Sequence, residues 1–271
     1  MLKISRNFCR YSTVLSYYEF YINKTECNDT ILTNNFYTHL TRVIKNTFTI
    51  IYFIDFLIEV INNEEDNQSE SNSEFGILKN NTYKEILSIY KIFSDKDFEL
   101  TRDMIAIFKN YQRNAHSLSE LFNNITENEN IINTLDIDPS FYSKYNKNIT
   151  TQIIDITDGN NYTELQSLIN IKSNYKKSND FCESILEEMQ KNIDNIKNEI
   201  STTAQKWAEN RIHTLEKIII GLAISEFKVY QTPIQVVINE YINISKELCG
   251  QKTSIFINGL LDPILKKNTK Q

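Results

Sequence analysis

Three histidines, four cysteines and a large stock of carboxylates are the groups in this 271-residue chain that could do covalent or acid–base chemistry. Their spacing argues against it. His39, His116 and His213 stand far apart, and none pairs with a Cys, Ser or carboxylate at a spacing that builds a nucleophile and its base. Cys9, Cys27, Cys182 and Cys249 form no CxxC pair and have no neighbouring His. Neither a zinc site nor a disulfide framework is indicated, and idle or buried thiols in a reducing compartment are expected. No GxGxxG or GxxxxGK[ST] run offers a phosphate cradle. In so acidic a chain, carboxylates on helices are far more often solvated faces than acid–base pairs. The chain is therefore expected not to be an enzyme, and to hold no metal or cofactor.

The cations carry more information. Net charge is −6, but residues 1–24 hold four basic residues and one acidic, and residues 204–271 nine basic and six acidic. Both ends are thus basic and the middle strongly acidic, so nucleic acid is to be sought at the ends. Lys3, Arg6 and Arg10 recur on one stripe of a predicted helix over 3–22. Phe8, Tyr11, Leu15, Tyr18 and Ile22 form the apolar stripe roughly opposite. On its own, that basic stripe reads as the solvated face of a surface helix.

The elements that must position these residues are predicted to be α-helices throughout. Only five Gly and three Pro punctuate the chain, while 41% of residues are hydrophobic, enough for a buried core. The longest apolar run, residues 48–61, contains Asp55 and Glu59 and falls short of the roughly 20 apolar residues that span a bilayer. No signal peptide is visible, and scattered N-x-[ST] triplets read as accidents of an Asn-rich composition; a cytoplasmic protein is expected. Helical spacing is found over 36–62, 82–93 and 97–123, with a polar loop over 62–74. Residues 123–177 read as irregular with short helices. From residue 179, Phe181, Ile185, Met189, Ile193, Ile196 and Ile200 fit one helical stripe. An apolar core helix follows over 207–228, with Trp207 as a packing residue. Thr232-Pro233-Ile234-Gln235 predicts a helix start in which Thr232 and Gln235 cap reciprocally. That helix ends at Cys249, with Gly250 as its left-handed cap, and a last helix begins near Thr253 or Ser254.

Read in order, Thr232-Pro233-x-x-Val236-x-Ile238-Asn239-Glu240, Ser245-Lys246, Gly250 and Phe256-x-Asn258-Gly259-x-Leu261-Asp262 resemble the C-terminal half of the NusB family of bacterial transcription antitermination factors. Leu215-Glu216-Lys217 and Ala223-x-x-Glu226-Phe227 match upstream, and Cys9-Arg10-x-x-x-Val14-x-x-x-Tyr18 resembles the family's opening helix. The resemblance covers residues 5–22 and 179–266. It implies a domain layout: residues 1–24 as first helix, 25–178 as remaining N-terminal helices plus an acidic insertion, 179–267 as C-terminal helical subdomain, and 268–271 as tail. It also implies an all-α fold of two small bundles that pairs with NusE, a small-subunit ribosomal protein, and binds boxA RNA of nascent ribosomal transcripts within the RNA polymerase antitermination complex.

The RNA contacts so implied are Lys3, Arg6 and Arg10 at one end, and Lys252, Thr253, Ser254, Phe256 and Asn258 at the other; Tyr18 and Glu216 are the implied NusE contacts. A helix start beside Lys252 and Phe256 suits the task, because cations and free amides meet phosphate while aromatics stack on unpaired bases. Asn239 and Glu240 read as braces of helix packing, and Gly259 as a site of close helix approach. Three departures thin the basic surface: Asn7 and Phe8 stand where more basic residues are usual, Gly221 where Arg is frequent, and Ile255 at an often basic position. The rival reading is a protein–protein scaffold that keeps the fold without specific RNA binding. A NusB-like domain also heads certain rRNA cytosine methyltransferases. The sequence here has no segment after these helices for such a catalytic domain, so that reading is set aside.

Overall fold

Every regular element among the described residues is helical. The computed structural model describes residues 1–23, 35–65, 81–92, 101–135, 137, 139–159, 161–204 and 212–269. In chain order the helices are α1 (Arg6–Asn23), α2 (Asn35–Glu65), α3 (Asn81–Ile89), α4 (Arg102–Asn114), α5 (Leu118–Thr126), α6 (Glu129–Thr134), α7 (Lys144–Asp158), α8 (Tyr162–Gln166), α9 (Ile171–Asn174), α10 (Lys176–Lys191), α11 (Ile193–Ala204), α12 (Thr214–Tyr230), α13 (Ile234–Cys249) and α14 (Gln251–Asn268). None is long and apolar enough to cross a membrane. The chain divides into two units, one of residues 1–3 and 40–174, the other of residues 4–39 and 175–271.

In the first unit, α2 buries Phe48, Ile51, Ile54 and Leu57, and α7 buries Ile149, Ile153 and Ile154. The Thr47 and Thr150 hydroxyls, 3.3 Å apart, join these two helices. α5 and α8 pack on α7, and α3 packs on α8, where the Tyr90 hydroxyl donates to the Leu168 carbonyl at 2.6 Å. The helix predicted over 97–123 is two helices, because Ser117 starts a new one. Ser117 Oγ accepts from the Glu120 amide at 3.2 Å, and the Glu120 carboxylate accepts from the His116 amide at 2.6 Å. Residues 123–177, predicted as largely irregular, contain the 15-residue α7. Its buried positions include Asn146, Thr150 and Thr157, which interrupt the apolar stripe that announces a helix. Of the predicted loop over 62–74, residues 62–65 continue α2 and the rest lies outside the described residues.

The second unit is built on α12, in which every residue from Ile218 to Phe227 is buried. A helix apolar on all sides has to sit in a core, and here α1, α10, α11, α13 and α14 surround it. A Cβ added to Gly221 would lie 2.9 Å from Met189 Cε and 3.4 Å from Ile196 Cγ2, so side chains of α10 and α11 press directly on α12 there. Gly259 is exposed with open space around its Cα, so the close approach predicted there occurs at Gly221 instead. The single stripe predicted over 179–200 is broken after Lys191. Asn192 turns its side-chain amide back onto the Glu188 carbonyl and carboxylate, at 3.3 and 2.8 Å, and separates α10 from α11. Trp207 lies outside the described residues.

The two chain turns that follow α12 also differ from the predicted caps. Thr232 Oγ1 donates to Glu226 Oε1 at 3.2 Å rather than capping α13, which starts directly after Pro233. Gly250 links α13 to α14 at φ +86° and ψ 170°, a conformation open to glycine and strained for side-chain-bearing residues. With no loop to spare, α14 starts at Gln251, earlier than the predicted Thr253 or Ser254. Cys9 and Cys182 are buried free thiols, Cys249 is half-buried and free, and Cys27 lies outside the described residues.

Candidate nucleic-acid interface

On α1, both helix faces are covered. Every residue from Phe8 to Val14 is buried, so the predicted solvated basic stripe exists only at the helix start. Arg10 retains 3% of its exposure. Its guanidinium donates through Nε to Glu226 Oε2 and through Nη2 to Glu226 Oε1, both at 2.7 Å, and through Nη1 to Asn7 Oδ1 at 3.0 Å. Burial alone would lower the Arg10 pKa, but the hydrogen bond and charge of Glu226 outweigh it and raise the pKa above its usual value. Tyr241, buried nearby, has its phenol pushed well up, chiefly by burial and then by the Glu226 charge. The Arg10 side chain, expected to meet phosphate, is thus committed to an internal strut between α1 and α12.

Arg6 is different. It is exposed, has no ion-pair partner among the described residues, and its Cζ lies 5.5 Å from the centre of the Phe181 ring. Phe181 in turn stacks on Tyr230, with centroids 5.0 Å apart and planes at 27°. Lys3 is exposed too, but it belongs to the other unit, where its amide donates to Gln152 Oε1 at 2.7 Å.

At the second predicted location, the five residues fall on two flanks of α14. Lys252 is exposed, with no ion-pair partner among the described residues, and half-buried Phe256 follows it one turn later. No side chain caps α14, so its first-turn amides stay available to an anion, with Lys252 and Thr253 among them. Ser254, by contrast, is buried and donates its hydroxyl to the Gln251 carbonyl at 2.7 Å. It and exposed Asn258 line a separate groove of about 660 Å3 between α13 and α14, together with Gln235, Asn239 and Lys246. Asn239, expected to brace packing, is exposed in that groove wall, while Glu240 is half-buried. Exposed Ile255 also borders the groove.

The two residues implied as protein contacts also separate. Tyr18 is half-buried on α1. Glu216 is 7% exposed, and its Oε2 accepts from the His213 amide at 2.9 Å, which closes the first turn of α12. The environment of Arg6 adds residues with no sequence signal for a surface role: Phe181 sits in a core-type stripe, and Lys177 and Tyr230 belong to no motif.

Comparison with known proteins follows the C-terminal helices. The NusB family model matches residues 144–266, beginning at α7 rather than at residue 179. A transcription antitermination protein NusB of Fusobacterium nucleatum subsp. nucleatum is 38% identical over 87 residues, which are 32% of this chain and 57% of that protein. The match therefore spans just over half of that relative. NusB proteins of Elusimicrobium minutum and Thermodesulfovibrio yellowstonii are 34% and 35% identical over 115 and 114 residues. Those stretches make up 39% and 40% of this chain, and 80% and 76% of the relatives. No solved structure matches the chain.

Proposed function

The chain belongs to the NusB family of transcription antitermination proteins, and from that premise we propose that it binds boxA-type RNA of nascent ribosomal-operon transcripts together with NusE and helps RNA polymerase resist termination. The observation that carries the reading is the start of α14: an exposed Lys252 with no ion-pair partner among the described residues, first-turn amides without a side-chain cap and Phe256 one turn on, within the segment that matches the family. A cation and free amides take a phosphate, and the ring takes an unpaired base. Exposed Arg6 on α1 adds charge in the same unit, Thr253 and Asn258 are further RNA contacts on α14, and exposed Lys3 is an RNA contact of the other unit. Arg10 and Ser254 serve RNA binding from inside, by holding α1 and the first turn of α14 in place. Tyr18 and Glu216 mark the NusE side. Between the NusB-like segments lie the remaining N-terminal helices and a lineage-specific acidic insertion.

The competing reading is a NusB-like scaffold without specific RNA binding. It draws on Arg10 being consumed by Glu226 and on Gly221 and Ile255 standing where basic residues are usual. Fluorescence anisotropy with boxA RNA, with and without NusE and across a salt series, separates the two. Antitermination predicts NusE-assisted binding that weakens with salt and with Lys252→Ala. Binding to NusE without RNA preference would establish the scaffold instead.

A further inference from the structure

We infer that α1, α10 and the end of α12 form a second single-stranded RNA contact, in which an unpaired base extends the Phe181–Tyr230 stack and its phosphate is held by Arg6 and Lys177. The inference rests on the RNA-binding reading above and shares Arg6 with it, while Lys177, Phe181 and Tyr230 have no part in that reading. Arg6, Lys177, Phe181 and Tyr230 line one cavity of about 380 Å3, within the range of sites that take a small ring system. Phe181 is 7% exposed and cannot itself receive a base, but it fixes the plane of Tyr230, which is 37% exposed. The Phe181 ring is stacked on Tyr230 and faced by Arg6 at 5.5 Å and Arg10 at 5.8 Å from its centre, so the platform is assembled before any ligand arrives. An aromatic platform held in this way loses little side-chain freedom when a base stacks on it, and every base presents a π-face.

The charges around the cavity favour an anionic chain. Arg6 and Lys177 are exposed and have no ion-pair partner among the described residues. Asp180 also lines the cavity, but its carboxylate accepts from the Lys176 ammonium at 2.8 and 2.9 Å, so Arg6, Lys177, Lys176 and Asp180 together keep a net positive charge. Two unpaired cations beside an exposed, pre-stacked ring are the combination that tracks a single strand: phosphate by charge, base by stacking.

The test uses the full chain and a fluorescein-labelled boxA RNA, with anisotropy read across a salt series. Tyr230→Ala is expected to weaken binding about five- to hundredfold while leaving the salt slope unchanged, and Tyr230→Phe to bind as wild type, since stacking needs the ring alone. Lys177→Ala is expected to weaken binding and to reduce the slope by about 0.7, the share of one phosphate contact on a single strand. Both sites are solvent-facing, and unchanged far-ultraviolet circular dichroism verifies folding. Wild-type affinity and slope in Tyr230→Ala and Lys177→Ala would overturn this contact while leaving the family reading intact. A wild-type chain that binds no RNA, with or without NusE, would overturn both.

Discussion

Replacing Arg10 by Ala is expected to damage the fold before it touches RNA. The Arg10–Glu226 pair is bidentate, at 2.7 Å on both bonds, with side-chain exposures of 4% and 0%. Arg10→Ala leaves the Glu226 carboxylate at zero exposure, without the guanidinium and with the Thr232 hydroxyl donating to it at 3.2 Å. Hydrogen bonds to charged groups contribute about 1.5–3 kcal/mol each. Two such bonds agree with the roughly 3–5 kcal/mol observed when one partner of a buried pair is removed. That is a large share of the about 5–15 kcal/mol that holds a typical domain folded. Urea unfolding followed by circular dichroism at 222 nm should therefore show a much lower midpoint for Arg10→Ala and for Glu226→Ala. The double variant Arg10→Met/Glu226→Leu should be more stable than either single change, because no buried charge is left alone. The reasoning is refuted if Arg10→Ala unfolds at the wild-type midpoint while the salt slope of RNA binding drops by about 0.7, the signature of a lost phosphate contact.

Other consequences follow from single positions. Glu216→Ala should lower stability by about 1 kcal/mol through the lost His213 amide bond, and Glu216→Gln by less, as read by urea midpoints. Gly250→Ala should cost about 1–3 kcal/mol, since φ +86° with ψ 170° strains any side-chain-bearing residue; an unchanged midpoint would mean the α13–α14 turn readjusts freely. Gly221→Leu should destabilise by about 1–3 kcal/mol through overpacking against Met189 and Ile196, whereas Gly259→Leu, in open space, should leave the midpoint near wild type. Burial raises the Cys249 thiol to about 11 and Cys182 well above its usual value, so neither is appreciably ionised at neutral pH. In a Cys27→Ser background, alkylation of Cys249 should be slow at pH 8 and accelerate as pH approaches 11, because the thiolate is the nucleophile. Rapid labelling of Cys249 at pH 7 would contradict its burial.

Much of this protein could be read from the order of its residues. Scarce Gly and Pro with apolar residues at a 3.6-residue period determined an all-α fold, since no other regular structure accommodates that spacing. The ordered run from Pro233 to Asp262 determined the family, because helix starts, caps and turns at fixed intervals recur together only by shared descent or shared packing. Local pattern failed where polar residues took buried places. α7 went unrecognised because Asn146, Thr150 and Thr157 fill core positions, and the long helix predicted over 97–123 concealed the Ser117 cap.

What the tertiary structure alone decided is which cations face outward. A helical period tells which residues share a stripe, not whether a second helix covers that stripe. Arg6 and Arg10 lie on one stripe of α1, yet Arg6 is exposed and Arg10 is spent on a carboxylate 216 residues away. The same logic split the α14 set, leaving Lys252 and Phe256 on one flank and turning Ser254 and Asn258 toward the α13 groove. It also assembled Arg6, Lys177, Phe181 and Tyr230 from three helices that share no motif. Charge available to a ligand depends on burial and pairing, and both are set by contacts between residues that the sequence keeps far apart.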